Sequence, residues 1–280
     1  SNGMTMASTF RSEPTTFTLS NNNTYSPNNY GNYYANKNIT MAAALAYSDN
    51  VYAVKTHIFL GEDNLVDTMK SMGLKEELSA IPSLPLGTIE LNMLDYVKAY
   101  TTLASGGYER DIHFIRRVED MNGNLIYERK DTDELILNYN YVFITNQMLT
   151  NTYNPEFIDY INPTVITMKG RLSRDYAIKT GTTDTDNWIV GYNPDALLMI
   201  WTGNDNGLST PGYAKVVKDI WADTIETTLK DVPPSWYEMP KNVIGLPLSP
   251  VTGEFVKNGK NSMYYFVKGT EPQIYLEASR

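Results

Sequence analysis

The stretch that most limits how this chain can fold is Tyr176-Ala177-Ile178-Lys179-Thr180-Gly181-Thr182-Thr183, with Asp186-Asn187-Trp188-Ile189-Val190-Gly191-Tyr192 close behind it. The approach to Lys179 is short, β-branched and alternates its faces, which predicts a strand. Residues 173–182 and 188–204 together read as two or three antiparallel strands, turning at Asn193-Pro194-Asp195. Gly181 leaves one backbone position without a side chain, so another backbone or a ligand can come close. Lys179 adds a fixed positive charge, and Thr180 and Thr182 add hydroxyls. A strand ending this way suits an anionic, peptide-like ligand lying along a sheet edge. Main-chain hydrogen bonds would hold such a ligand and side chains would read its carboxylate.

Composition narrows the possibilities further. The 280 residues can build one large core or two modest domains, and 42% apolar with 20% charged residues is the balance of a globular chain. A formal charge of −9 speaks against nucleic-acid binding, which needs a basic face. The chain has no cysteine, which removes disulfides, thiolate catalysis and cysteine zinc sites. No metal or other cofactor is expected. Only His57 and His113 could serve a Ser-His-Asp triad, and each reads better as an ordinary residue. No apolar run approaches the ~18 residues of a spanning helix.

Residues 1–37 are rich in Asn, Ser, Pro and Tyr and read as an irregular loop. Ile39 to Tyr47 is a strong helix former with Thr40 as its N-cap, and it breaks at Ser48-Asp49-Asn50. A second helix is expected over Val51 to Phe59, ending at Gly61, and a third over Leu65 to Met72, closed by Gly73. Thr88 is expected to cap a helix over Leu91 to Ala104, whose apolar stripe faces a core. Asn122-Gly123 marks a hairpin, residues 138–150 a helix, and Gly212 to Leu229 a last amphipathic helix. The Pro-rich tail, 232–280, reads as a wrap over the domain and not as a second core. Helices, then strands, then a helix give an α+β class: an antiparallel sheet flanked by helices.

Ser48-Asp49-Asn50, on a turn between two helices, and Lys179-Thr180-Gly181, on a strand, form two of the three motifs shared by penicillin-binding proteins and class A β-lactamases. The flanks agree. Ile39-Thr40, Ala43-Ala44-Leu45-Ala46 and Ala53-Val54 around the first motif resemble the helix pair of penicillin-binding proteins. Leu86-Gly87, Glu90, Ala99-Tyr100 and Ala104-Ser105-Gly106-Gly107 resemble another of their segments. Lys179-Thr180-Gly181-Thr182-Thr183, Asp186-Asn187-Trp188-Ile189-Val190-Gly191-Tyr192-Asn193-Pro194-Asp195 and Trp201-Thr202-Gly203-Asn204-Asp205 resemble the transpeptidase block of the bifunctional, class A branch. The tail segments Pro250-Val251-Thr252-Gly253 and Lys268-Gly269-Thr270-Glu271-Pro272 resemble the end of that domain.

The resemblance implies the serine β-lactamase/D,D-transpeptidase fold, with a five-stranded antiparallel sheet between helical layers, over residues 1–280 as one domain. It implies cross-linking of peptidoglycan stem peptides through an acyl-serine, with β-lactams trapping that ester, at the extracellular face of the bacterial cytoplasmic membrane. The parent protein would be membrane-anchored. Carried onto matching positions, Ser48 would relay a proton and Asn50 would donate to the substrate's acyl side chain. Lys179 would set positive potential over the substrate carboxylate. Thr180 and Thr182 would bond that carboxylate, and the Thr182 N–H would form half the oxyanion hole. Gly181 would admit the substrate backbone. The position of Asp49 has no assigned role in most family members, so Asp49 is expected to be solvated; Trp188 is expected to support the core.

The third motif, Ser-x-x-Lys, is missing. The family places nucleophile and base on a helix roughly thirty to fifty residues before the Ser-x-Asn turn. The nearest candidate, Ser8-Thr9-Phe10-Arg11, fails because arginine stays protonated near neutral pH and Pro14 to Leu19 reads as extended. Residues 2–17 instead resemble the family's linker on the C-terminal side of the nucleophile helix. The domain is therefore expected to be incomplete at its N-terminus and unable to acylate. Two other readings stay open. A serine β-lactamase would need a Glu-x-x-x-Asn on a suitable loop between residues 51 and 178, which is not found. A non-catalytic peptide- or partner-binding module needs no nucleophile.

Overall fold

The computed structural model describes residues 3–19, 22–130, 134–204, 206–257 and 259–272; Asp205 lies outside them. Its framework is a three-stranded antiparallel sheet made of β7 (Ala177–Thr182), β8 (Asp186–Tyr192) and β9 (Leu197–Gly203), in that order. Six short strands precede these among the described residues. Lys179 lies opposite Val190 and Gly181 opposite Trp188, while Ile178 and Thr180 sit opposite Gly191 and Ile189. The alternation separates two faces.

One face buries Ile178 and Ile189 against the helix Tyr213–Thr228, whose Val217, Trp221 and Ile225 join Tyr176, Val165 and Met168 in one apolar cluster. Here Gly191 is required: a Cβ on it would lie 2.3 Å from the Trp221 ring. The Trp221 indole N–H also donates to the Leu198 carbonyl at 2.9 Å, so the ring cannot slide away without losing a buried bond. The other face carries Ala177 and Tyr192, packed against Leu149, Leu45, Tyr100 and Leu103.

Those partners come from helices at sequence positions close to the expected ones. The helices before Tyr213–Thr228, which is α6, are α1 (Met41–Tyr47), α2 (Asn50–Leu60), α3 (Glu62–Ser71), α4 (Met93–Ala104) and α5 (Tyr139–Thr150); α1, α4 and α5 supply the partners of Ala177 and Tyr192. α4 starts later than its pattern suggests, because Asn92 and not Thr88 caps it, accepting from the Leu94 N–H at 2.9 Å. Residues 1–37 are less irregular than expected among those described. β1 (Thr9–Arg11) pairs with β4 (Asn38–Thr40), and β2 (Phe17–Thr18) pairs with β3 (Thr24–Tyr25). The Asn122-Gly123 hairpin forms as β5 (Arg117–Glu119) and β6 (Leu125–Glu128), exposed along its length.

Two strands of the tail, β10 (Val243–Leu248) and β11 (Ser262–Val267), form a hairpin of their own. The described residues thus hold a sheet of three strands and four separate pairs, this hairpin among them, not a single sheet of five. The hairpin and α1 share a core, in which Leu246, Leu248, Tyr264 and Phe266 pack on Ala42, Ala43, Ala44 and Ala46. Alanine is the best helix former and the smallest side chain there, so α1 is both stable and closely approached.

The start of α1 is anchored by this hairpin. Thr40 is fully buried and caps α1, accepting from the Ala43 N–H at 3.2 Å. Its hydroxyl lies 2.8 Å from the Tyr264 hydroxyl and 3.2 Å from the Pro250 carbonyl, and its N–H donates to the Val251 carbonyl at 2.9 Å. Thr40→Val keeps the shape and deletes the hydroxyl, so a helix cap and a buried partner vanish together. Urea denaturation should show a loss of about 1–2 kcal/mol. A change under about 0.5 kcal/mol, that of an inert surface position, would mean that the cap does not hold α1.

Candidate active site

Helix α1 ends at Ser48, which takes the left-handed conformation (φ 56°, ψ 50°) and closes the helix by donating its N–H to Ala44 and Leu45 carbonyls. The next residue, Asp49, caps α2, so the chain reverses from one helix to the other within the Ser-Asp-Asn triplet. This geometry turns the Ser48 side chain toward the sheet. There Lys179 Nζ donates to Ser48 Oγ at 2.8 Å and to the Thr180 carbonyl at 2.6 Å. Residues far apart in sequence, singled out by motif alone, are thus brought into direct contact.

Both sit in a cavity of about 870 Å³, which Asn50, Thr180, Gly181 and Thr182 also line. Every residue expected in the site borders this one space. β7 is an edge strand of its sheet, so its outer edge can receive an extended peptide. Asn50 donates one N–H to the Asn28 carbonyl at 2.7 Å; its amide has a second hydrogen to give. Trp188 is half-buried beside Gly181, with its ring 6.1 Å from that of Trp201 and 6.3 Å from that of Tyr96.

Asp49 overturns its expectation. It is 4% exposed, not solvated, and its carboxylate accepts from Tyr52 N–H, Ser12, Asn29 and Tyr160. Sequence could suggest only the first of these contacts, since Asp before a helix is a common cap. The other three donors come from distant segments and leave no local pattern. Sequence reasoning also missed the far wall of the cavity. That wall includes Tyr30, Ile161, Pro163, Thr164, Thr167 and Lys218, whose Nζ donates to the Thr164 carbonyl at 2.7 Å.

The remaining candidates fall outside the chemistry. Ser8 accepts from the Thr5 N–H, Arg11 pairs with Glu13, and neither lines the cavity. His57 lies in the cavity wall with Nε2 3.1 Å from the Ile81 carbonyl; His113 is partly exposed, its Nδ1 3.1 Å from the Asp111 carbonyl. The single Glu-x-x-x-Asn spacing between 51 and 178 is Glu134 to Asn138. It leads into α5, where Asn138 caps the helix, and neither residue borders the cavity. Among the described residues there is no cluster suited to a metal ion, and no helix is long and apolar enough to cross a membrane.

Lys179 is half-buried in the cavity wall. This burial pushes its ammonium down to about 8. A lysine whose folded pKa lies below its unfolded value binds fewer protons folded than unfolded between the two. Stability conferred through Lys179 therefore rises with pH from about 8 to the ordinary 10.5. Denaturation curves for the wild type and Lys179→Met, collected across this window, should diverge in favour of the wild type as pH rises. Parallel curves would show that Lys179 titrates as an ordinary surface lysine.

Known proteins resemble this chain in sequence and fold. The family profile described as penicillin binding protein transpeptidase domain matches residues 4–222. Penicillin-binding protein 2D of Bacillus subtilis (strain 168) is 41% identical over 278 residues, covering 96% of this chain and 40% of its own length. Penicillin-binding protein 1A of Aquifex aeolicus (strain VF5) is 30% identical over 249 residues, covering 85% of this chain and 32% of its own length. The chain thus spans well under half the length of these relatives. The crystal structure of penicillin-binding protein 1A from Haemophilus influenzae superposes with a TM-score of 0.85 at 21% identity, over 97% of this chain and 46% of that one. The fold, the paired motifs and the profile agree over most of the sequence, and the chain belongs to the penicillin-binding protein transpeptidase family, of the class A type.

Proposed function

We propose that residues 1–280 form the substrate-binding wall of a peptidoglycan D,D-transpeptidase working on the extracellular face of a bacterial cytoplasmic membrane. The observation that carries this reading is the Lys179–Ser48 contact made from an edge strand. A stem peptide ending in D-Ala-D-Ala would lie along β7, its carboxylate near Lys179, Thr180 and Thr182 and its acyl side chain near Asn50. Because Lys179 donates to Ser48 Oγ, the Ser48 O–H is left pointing away, able to pass a proton to a leaving amine.

The reaction also needs a nucleophile, and residues 1–280 contain no Ser-x-x-Lys. We place it on a helix from outside these residues, seated in the cavity beside Ser48. The room is there: the cavity measures about 870 Å³ and borders Ser48 and Lys179. In the complete site the nucleophile's oxygen would attack the penultimate D-Ala carbonyl, giving its proton to the motif lysine. The C–N bond would break and the terminal D-Ala would depart as an amine, protonated through Ser48. An acceptor amine would then attack the ester, forming the cross-link and restoring the serine. A β-lactam would stop after the first half, because its leaving amine stays tethered.

Intact mass after incubation with a penicillin separates the alternatives. Residues 1–280 should gain no mass, while the chain extended upstream to include a Ser-x-x-Lys helix should gain one acyl group. If neither labels, the domain is a non-catalytic peptide- or partner-binding module; catalytic nitrocefin turnover by the extended chain would make it a β-lactamase. Binding can be tested on residues 1–280 directly. An acetylated Lys-D-Ala-D-Ala peptide should bind through its carboxylate and weaken above pH about 8, where Lys179 loses its charge. Lys179→Ala should bind weakly at every pH; a pH-independent wild type would sink the assignment of the carboxylate to Lys179.

A further inference from the structure

Asp49 gathers donors from four places. The Tyr52 N–H donates to Oδ1 at 2.8 Å. Three side chains converge on Oδ2: Ser12 at 2.5 Å, Asn29 at 2.7 Å and Tyr160 at 3.2 Å. A buried carboxylate is tolerable only when its lone pairs are met, and these are. The network then spreads to the rest of the turn. Asn29 accepts the Val51 N–H at 3.2 Å and donates to the Tyr33 carbonyl at 3.1 Å, while Asn50 donates to the Asn28 carbonyl at 2.7 Å. Residues 49, 50 and 51 are each tied to the 28–29 segment. Ser48, the remaining residue of the turn, is the one whose side chain meets the strand.

We propose that Asp49 is a positioning residue: its carboxylate, gripped by Ser12, Asn29 and Tyr160, holds Ser48 in its left-handed conformation with Oγ on Lys179. Its meaning for catalysis rests on the transpeptidase reading; the geometry does not. Charge is required, not just shape. In Asp49→Asn an amide N–H₂ replaces one of the two oxygens. The hydroxyls of Ser12 and Tyr160 can turn round and accept, but the Asn29 amide cannot. Flipping the new amide returns oxygen to Asn29 and sets its N–H₂ against the Tyr52 N–H instead. Either way one pair of donors collides, and the turn must move to separate them.

The test is competitive acetylation of the lysines of residues 1–280 with acetic anhydride, mapped by mass spectrometry. Lys218 borders the same cavity but bonds the Thr164 carbonyl, so it serves as the internal reference. Asp49→Asn should label Lys179 about tenfold faster, the equivalent of one lost hydrogen bond to a charged group. That rate should approach the rate in Ser48→Ala, with Lys218 unchanged. Adding Asn29→Asp gives the new amide an acceptor but forfeits the bond to the Tyr33 carbonyl, and should restore part of the protection. Tyr160→Phe removes one donor while keeping the charge, and should release Lys179 to an intermediate degree even if Asp49→Asn folds poorly. Equal acceleration of Lys179 and Lys218 would mean general loosening and would overturn the proposal, as would unchanged Lys179 labelling in both Asp49→Asn and Tyr160→Phe. The acetylated Lys-D-Ala-D-Ala peptide is titrated in parallel. Selective release of Lys179 in a chain whose wild type binds no peptide would uphold the positioning role and remove the transpeptidase reading.

Discussion

Much of this structure depends on the left-handed backbone of Ser48. For a residue with a Cβ that conformation costs about 1–2 kcal/mol relative to helix, and glycine would adopt it freely. A glycine there, however, would have no hydroxyl to set against Lys179 2.8 Å away. The strain and the contact come together: the same φ of 56° that ends α1 turns the side chain to the sheet and lets Asp49 start α2. Strained residues of this kind persist where their surroundings over-determine them.

The surroundings do so from both ends of α1. At its start, Thr40 is tied to the C-terminal hairpin through Tyr264 and Pro250; at its end, Asp49 is tied to the N-terminal segment through Ser12 and Asn29. Between them, Ala42, Ala43 and Ala46 leave no accessible surface and so no slack. The Tyr47 hydroxyl adds a bond to the Phe157 carbonyl at 2.5 Å. A seven-residue helix is too short to be stable alone. Here it acts as a rigid strut because segments from both ends of the chain close on it.

What could be read from the sequence depends on the range of each interaction. The strands around Lys179 were legible because alternation is local and repeats every two residues. α1 was legible because Thr40 and an alanine run are neighbours, as was the Ser48-Asp49-Asn50 break. The Lys179–Ser48 contact was legible only through a motif pair, since no local rule joins residues so far apart. The interior of Asp49 was not: Ser12, Asn29 and Tyr160 each look like ordinary loop residues until the fold assembles them around one oxygen. α4 shows the limit at close range, where Thr88 and Asn92 both fit a cap and only the path of the intervening backbone decides.

The placement of Lys179 reconciles two demands that pull apart. A lysine meant to attract a carboxylate must be charged, and charge is most secure in water. Water, though, would screen it and let it wander. Half-burying it in the cavity wall sharpens its field but drives its pKa down, and full enclosure would neutralise it. The value of about 8 lies where the ammonium still prevails at neutral pH. The two acceptors at Ser48 and Thr180 help it to do so without a carboxylate partner, which would cancel its field. Asp49, the nearest acid along the chain to Ser48, spends its charge on its own four donors. A carboxylate directed at Lys179 instead would occupy the position meant for the substrate. The neutral hydroxyl at 48 and the inward-turned acid at 49 thus leave the lysine's attraction for the ligand.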